Sequence, residues 1–303
     1  MKDGLVIGID LGGTFVKGGV VDGVGNLLAT GKIPTPASRE FYEVVKAIAV
    51  FVDDLCVRAG VEKSQIIGVG VACPGNIDGN AGVVVTTGNL RWCDKPLKAE
   101  LSSLCNLPVE IVNDAEAALL AEMFCGEGKG YDSVVMITIG TGIGSSVYKY
   151  GRILERTELG HTVIQQHYGA RKCTCGRRGC FETYASATAL VRDTKEAVKR
   201  KETAMRQEKE ITGKTAFDYY HTDAVAKSVV DNYLKRLTCG IANAVTTFHP
   251  QRVILGGGVC AQGDGLIKPL SKYLADEKYC FAEIVVAKNQ NNAGVIGASS
   301  LFR

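Results

Sequence analysis

The residues of this sequence that most directly suggest chemistry are three closely spaced cysteines and a histidine. Cys173, Cys175 and Cys180 form a C-x-C-x4-C pattern, and His161 stands twelve residues before the first of them. Thiolate and imidazole are ligands that tetrahedral Zn²⁺ favours in proteins. Because three sulfurs and one nitrogen would fill all four positions, no site would remain for a reactive water. We therefore expect a structural zinc.

Two other interpretations of this segment stay open from the residues alone. The thiols could form disulfides or be unrelated to one another. His167 is an alternative fourth ligand, although it lies in no motif. Gly176 and Gly179 favour the metal site, because glycine allows the tight turns that would bring three sulfurs onto one ion.

A second candidate for chemistry is Asp114, which follows Asn113 at the end of a predicted strand, residues 109–112. A predicted helix, residues 115–124, begins directly after it. A carboxylate at a strand end, beside a helix N-terminus, is held ionised and in place, as a general base requires. The alternative is that Asp114 only caps the helix.

Two glycine-rich turns each join one predicted strand to the next. The first runs from Asp10 to Thr14 and the second from Gly140 to Gly144. Such turns let backbone N–H groups approach an anion closely. They are neither a Rossmann fingerprint nor a Walker loop, since both of those open a helix. A plain hairpin remains the alternative for the first turn, and Lys17 could lie near a phosphate or simply on a strand surface.

The elements that must position these residues alternate between strands and helices, which indicates an α/β fold. The repeated strand–glycine turn–strand pattern suggests a duplicated fold, but the similarity is too weak to prove duplication. Further strands are predicted at residues 27–33, 66–72, 134–139, 145–150, 253–255 and 284–287. Helices are predicted at residues 39–59, 96–105 (capped by Asp94), 183–210, 222–248 and 294–301.

The composition is that of a globular protein with an ample core. Of 303 residues, 46% are hydrophobic and 22% charged, and the net charge of +3 is too small to indicate nucleic-acid binding. No apolar run is long enough to span a membrane, and the N-terminus lacks a secretory signal. The eleven cysteines are scattered apart from one cluster, so we expect a cytoplasmic protein.

Two stretches closely resemble the signature of ROK-family sugar kinases: Glu158-Leu159-Gly160-His161, and Cys173 to Glu182, which reads CTCGRRGCFE. The resemblance implies that His161, Cys173, Cys175 and Cys180 hold zinc. It also implies that Glu158, His161 and Glu182 contact a sugar. The chain departs from the family at Arg156-Thr157, where small residues, often Ala-Gly, usually precede the glutamate.

The resemblance covers essentially the whole chain and implies two RNase H-like lobes of the actin-like ATPase and sugar kinase fold, with a central cleft. We expect residues 1–114 with 290–303 to form the N-terminal lobe. Residues 115–289 would form the C-terminal lobe, with the zinc-binding segment at 158–182. The resemblance further assigns Asp114 as the catalytic base. It places Gly75, Asn89 and Asn113 against the sugar, and the following residues against the nucleotide: Asp10, Gly12, Gly13, Thr14, Thr141, Gly142, Gly257 and Gly258.

The activity implied is ATP-dependent phosphorylation of a hexose 6-hydroxyl, with Mg²⁺ and a structural Zn²⁺ as cofactors. Asp10 would hold the waters of the magnesium ion. Glucose is the first expectation and N-acetylmannosamine, or another amino sugar or hexose, the alternative. We expect a homodimer with no nucleic-acid or membrane partner. A sugar-sensing ROK regulator is disfavoured because a strand begins by residue 5, which leaves no room for a helix-turn-helix segment. A zinc-ribbon module would leave Asp114 unexplained.

Overall fold

The computed structural model describes residues 4–154, 157–276 and 281–303. The chain divides into two compact units, Met1–Gly130 with Lys288–Arg303, and Tyr131–Ala287. The strands are β1 (Leu5–Leu11), β2 (Phe15–Val21), β3 (Leu27–Pro34), β4 (Ile66–Cys73), β5 (Asn76–Asp78), β6 (Val83–Thr86), β7 (Cys93–Lys95), β8 (Val109–Asn113), β9 (Ser133–Ile139), β10 (Ile143–Lys149), β11 (Arg152–Leu154), β12 (Arg252–Gly256) and β13 (Glu283–Val286). The α-helices are α1 (Phe41–Ala59), α2 (Leu97–Cys105), α3 (Asp114–Cys125), α4 (Glu182–Ala185), α5 (Ala187–Arg200), α6 (Thr215–Asp218), α7 (Ala224–Phe248), α8 (Asp264–Ala275) and α9 (Ala293–Ser299).

The first unit is built on a five-stranded sheet in the order β3-β2-β1-β4-β8. The first three strands are antiparallel, whereas β1, β4 and β8 run parallel. Helix α1 covers this sheet with a fully buried apolar stripe that includes Phe51. Gly18 and Gly31 make room for that ring, since an added Cβ would stand 2.8 and 3.0 Å from its carbons. The spacing of apolar residues therefore correctly predicted α1.

Helices α3 and α9 pack closely together because small residues line both of them. An added Cβ at Gly297 in α9 would stand 1.7 Å from the carbonyl oxygen of Ala117 in α3. Similarly, Gly8 and Gly70 in the sheet leave space for the α9 backbone, where an added Cβ would stand 1.9 Å from a carbonyl oxygen. This contact keeps α3 in the first unit. The boundary that we expected after residue 114 therefore differs from the observed one after Gly130.

The second unit repeats the topology of the first. Its five-stranded sheet has the order β11-β10-β9-β12-β13, in which β9, β10 and β11 are antiparallel and β9, β12 and β13 parallel. Helix α7 supplies much of its core, with Val230, Leu234 and Leu237 fully buried. Two sheets with the same strand order and directions are the architecture expected of the actin-like ATPase and sugar kinase fold.

Several elements differ from the sequence-based prediction. The helix expected over residues 183–210 ends at Arg200, where Lys201 becomes extended, and only a 3₁₀ turn follows at Ala204–Gln207. Asp94 lies in β7 rather than capping α2. Helix α8 contains Pro269, a residue that normally argues against a helix interior. The small sheet β5-β6-β7 was also not predicted. Within the described ranges, no helix combines the length and apolar character that crossing a lipid bilayer requires.

Candidate active site

In the first unit, several candidate residues lie at one edge of the sheet. Strands β1, β4 and β8 are parallel, so their carboxyl ends meet there, and ligands of α/β sheets characteristically bind at such an edge. Asp10 is paired with Ala72, and Cys73 with Asn113. The Asn113 side-chain amide also donates to the Gly75 carbonyl oxygen at 2.8 Å. The edge thus brings together Asp10, Gly75 and Asn113.

Asn113, not Asp114, is the N-cap of helix α3. Its Oδ1 accepts from the backbone N–H groups of Ala115 (2.9 Å) and Glu116 (3.4 Å). Asp114 is the first helical residue, and its Oδ1 accepts from the Ala115 N–H at 2.9 Å. Because the neighbouring asparagine performs the capping, the simple helix-cap explanation for Asp114 loses its main support.

Two carboxylates at this edge have perturbed acidity. Asp114 is exposed, but the protein atoms around its carboxyl group displace water and raise its pKa above the ordinary value of 3.8. The negative charge of Asp10 raises it further, against the hydrogen bond from Ala115. Burial also raises the pKa of Asp10, which Lys17 partly offsets. Cys73 was not predicted as part of the site. Burial and the Asp114 charge together raise the pKa of its thiol to about 12. General bases are often accessible carboxylates whose pKa the surrounding protein raises.

Lys17 lies directly across from Asp10 on the neighbouring strand. Its Nζ stands 3.8 Å from Asp10 Oδ2, and its side chain is half exposed. This lysine therefore lies beside the candidate nucleotide turn. Its ammonium group faces the Asp10 carboxylate, which we expect to bind the waters of magnesium.

The first glycine turn is a tight hairpin beside Asn89. The Gly12 N–H donates to the Phe15 carbonyl at 3.0 Å, so this N–H is occupied within the turn. We therefore expect Gly13 and Thr14, rather than Gly12, to provide backbone N–H contacts to phosphate. An added Cβ at Gly13 would stand 3.3 Å from the Asn89 Cβ. Arg39, which sequence reasoning missed, donates to the Asn89 carbonyl at 2.7 Å and helps to fix this residue.

In the second unit, the four predicted zinc ligands converge. The Nδ1 or Nε2 atom of His161 and the Sγ atoms of Cys173, Cys175 and Cys180 all lie within 4.8 Å of one another. The Cys175 and Cys180 sulfurs are 3.6 Å apart, and Cys173 Sγ is 3.5 Å from His161 Nδ1. Tetrahedral zinc with Zn–S bonds of about 2.3 Å would separate its ligand atoms by about 3.7 Å. The observed spacing fits such an ion.

The competing interpretations of this cluster receive no support. The sulfur separation is far longer than a disulfide bond, and none of the ten cysteines in the described part of the chain forms a disulfide. His167 is exposed and is absent from the cluster found among the described residues. The Cys173 N–H donates to the Arg177 carbonyl oxygen and closes the turn. Gly176 and Gly179 adopt positive φ there, as expected.

Glu182 connects the cysteine cluster to the second glycine turn. Its Oε1 accepts from the Cys173 thiol at 3.0 Å and lies 3.7 Å from His161 Nδ1. Its Oε2 stands 2.6 Å from the position that a Cβ on Gly142 would take. Glu158 is exposed and precedes the 3₁₀ turn Leu159–His161. The unusual Arg156 lies outside the described residues.

The nucleotide-binding candidates of the second unit lie on two turns at one sheet edge. Strands β9 and β12 are parallel neighbours, so the turn with Thr141 and Gly142 and the turn with Gly257 and Gly258 follow adjacent strand ends. Gly257 has φ of 90°, and an added Cβ would stand 2.4 Å from the Ile139 carbonyl oxygen. Only glycine fits this close approach.

Comparison with known proteins agrees with this arrangement. The sequence profile of the ROK family matches residues 6–303. The chain belongs to the ROK family. It is 35% identical to a glucokinase of Halalkalibacterium halodurans over 321 aligned residues, covering 100% of this chain and 96% of the relative.

Two solved structures extend the comparison. A ROK family glucokinase from Streptomyces griseus, in complex with glucose and AMPPNP, superposes with a TM-score of 0.78 at 30% identity, covering 98% of this chain and 99% of the other. The ROK hexokinase from Thermus thermophilus gives a TM-score of 0.80 at 31% identity, covering 98% and 97%. The predicted fold class is therefore confirmed.

Proposed function

We propose that this protein is an ATP-dependent glucokinase that transfers the γ-phosphoryl group of ATP to the 6-hydroxyl of glucose. The observation that carries the proposal is Asp114, a carboxylate with a raised pKa at the start of α3, beside a separate capping residue. Full-length glucokinase relatives at 32–35% identity support the same reaction. N-acetylmannosamine remains the alternative acceptor.

Asp114 acts as the general base in this proposal. It accepts the proton of the glucose hydroxyl as that oxygen attacks the γ-phosphorus, and the bond between the γ-phosphorus and the bridging oxygen of ADP breaks. Its raised pKa makes it a stronger base than an ordinary carboxylate. Asn89, Asn113, Glu158, His161 and Glu182 are proposed to orient the sugar by hydrogen bonds.

The nucleotide is proposed to be bound by both sets of glycine turns. Backbone N–H groups of Gly13, Thr14, Thr141 and Gly142 contact phosphate oxygens, and Gly257 and Gly258 lie beside the adenosine. Asp10 suits the hydration shell of Mg²⁺, because a single carboxylate plus substrate phosphates is the usual donor set for that ion. The magnesium ion neutralises phosphate charge when bound.

The cysteine cluster is proposed to hold a structural Zn²⁺ that shapes the sugar-binding segment. In the structure, the Cys173 thiol donates a hydrogen bond to Glu182. A zinc-bound thiolate has no proton to donate. With Cys173 held as a metal ligand, the Glu182 carboxylate would be free to accept hydrogen bonds from sugar hydroxyls, and His161 would keep its ring orientation.

The test is ADP release measured with Mg-ATP in the presence and absence of glucose. The proposal expects release that depends on glucose and is matched mole for mole by phosphorylated sugar. Glucose binding without any ADP release would instead identify a sugar-sensing protein and contradict the kinase.

A further inference from the structure

Glu122 is a completely buried carboxylate that the proposed reaction does not use. It lies in the last turn of α3 and is 0% exposed to solvent. A buried carboxylate is costly unless hydrogen-bond donors surround it, so the contacts of this residue indicate what it holds.

The two oxygens of Glu122 accept hydrogen bonds from backbone groups of two segments, one directly after α3 and one distant in the chain. Oε2 accepts from the Glu127 N–H at 2.8 Å. Oε1 accepts from the Asn289 N–H at 2.7 Å and from its side-chain amide at 3.1 Å. We call this arrangement of Glu122, Glu127 and Asn289 the Glu122 clasp. Gly126 is required beside it, because an added Cβ would stand 2.1 Å from Oε2.

The two segments joined by the clasp are those that connect the units. The chain leaves the first unit after Gly130 and returns to it at Lys288. Glu127 lies three residues before the first crossing, and Asn289 lies one residue after the return. One carboxylate at the C-terminal end of α3 therefore accepts hydrogen bonds from residues close to both crossings.

The clasp is also connected to both acidic residues of the candidate active site. Helix α3 begins at Asp114 and ends just after Glu122. The segment from Asn289 leads into α9, where Gly294 lies against Asp10, with an added Cβ 2.6 Å from the carboxyl carbon. Helix α3 therefore links Glu122 to Asp114, and α9 links the Asn289 segment to Asp10.

We propose that Glu122 is a positioning residue for phosphoryl transfer, which fixes the two connecting segments to α3 and thereby keeps Asp114 and Asp10 in register. This inference rests on the proposed kinase function. The carboxylate contributes no group to the reaction; it acts through the helix and the two segments that it holds.

The test compares Glu122→Gln with a matched Glu→Gln change, Glu40→Gln, at an exposed residue whose side chain makes no capping hydrogen bond. A carboxamide offers one acceptor oxygen, so its NH₂ group must face either the Glu127 or the Asn289 donor. Amide hydrogen exchange of residues 126–130 and 287–292 reports on the clasp without any catalysis. Steady-state kinetics report on positioning.

We expect Glu122→Gln to speed exchange of one or both segments by about tenfold or more, as the loss of a charge-assisted hydrogen bond does. We expect kcat to fall about tenfold with KM for glucose within about threefold, whereas Glu40→Gln matches the parent. Asn289→Ala keeps the backbone hydrogen bond, so it should change the exchange rate and kcat in the same directions but by less. This variant tests the inference if Glu122→Gln does not fold.

Three outcomes are informative. Faster exchange with unchanged kcat would reduce the clasp to a structural role and overturn the inference. Unchanged exchange in both clasp variants would show that Glu122 does not hold the segments. A parent protein that lacks kinase activity would contradict the proposed function, and the exchange experiment would still judge the clasp.

Discussion

At the scale of single residues, two neighbours, Asn113 and Asp114, have different roles at the start of α3. Asn113 satisfies the first N–H groups of α3, so Asp114 is not needed as a cap. Asp114 instead has a raised pKa, caused by the protein atoms around its carboxyl group and by Asp10. Capping and proton transfer can therefore be separated by substituting one residue.

Asp114→Asn should lower kcat by roughly 10²–10⁴, because the amide cannot take up the proton of the sugar hydroxyl. KM for glucose should change less, since the amide can still contact the hydroxyl. The measurement is steady-state kinetics on protein that a thermal melt shows to be folded. A folded variant that keeps more than about a tenth of the parental kcat would return Asp114 to a structural role.

The same substitution should not destabilise the protein at neutral pH. The pKa of Asp114 is raised in the folded state, so the folded state binds its proton more tightly than the unfolded state does. Above that pKa the ionised carboxylate lowers stability, and stability should rise as the pH falls through the raised pKa toward 3.8. Thermal melts at pH 7 should give a Tm for Asp114→Asn at or above that of the parent. A clearly lower Tm would show that the carboxylate stabilises the fold.

Cys175→Ser should lose bound zinc and most glucose phosphorylation. Removing one of four ligands weakens a tetrahedral site, and metal binding is coupled to local folding. Because His161 and Glu182 adjoin the cluster, KM for glucose should rise more than KM for ATP. Metal analysis checks the first point, with Cys93→Ser, an exposed cysteine outside the cluster, as the control. Full zinc occupancy and a normal KM in Cys175→Ser would contradict the proposed metal site.

At the scale of elements, close helix packing depends on glycines that bring backbones into contact. Gly297 in α9 faces the Ala117 carbonyl of α3, and Gly294 faces Asp10. Packing of α9 against α3 therefore supports the helix that presents Asp114. Small residues at these positions matter because no side chain fits between the two backbones.

Gly297→Val should destabilise the protein by at least about 2 kcal/mol, because overpacking forces backbone shifts. Gly265→Ala is the matched control. It lies in α8 with no atom within 4 Å of an added Cβ, so it should be neutral or stabilise by about 0.5–1 kcal/mol. Urea unfolding of the three proteins gives both values. Equal stability of the Gly297 variant and the parent would show that α9 does not need this contact.

The elements also indicate what the sequence could and could not predict. The convergence of the C-x-C-x4-C cysteines and the position of Asp114 between a strand and a helix were predictable because each depends on local spacing. The place of α3 in the first unit was not, because it depends on contact with Gly297, distant in the chain. Helix α8 was not predicted because Pro269 lies inside it. The clasp was not predicted because Glu122 and Asn289 are far apart in the sequence.

At the scale of the whole molecule, two units with the same sheet order each bring candidate ligands to one sheet edge. Asp10 and Asn113 lie at that edge in the first unit, and the turns with Thr141 and Gly257 follow adjacent strand ends in the second. The two glycine turns suggested this repetition, but they are too short for the sequence alone to prove it.

The central claim is that glucose is the acceptor of the γ-phosphoryl group. The most direct measurement is kcat/KM with Mg-ATP for glucose, N-acetylmannosamine, N-acetylglucosamine, mannose, fructose and allose, with identification of the phosphorylated position by NMR. The account predicts that glucose has the highest kcat/KM and that its product is the 6-phosphate. A value at least tenfold higher for another sugar, or phosphorylation at another hydroxyl, would contradict it.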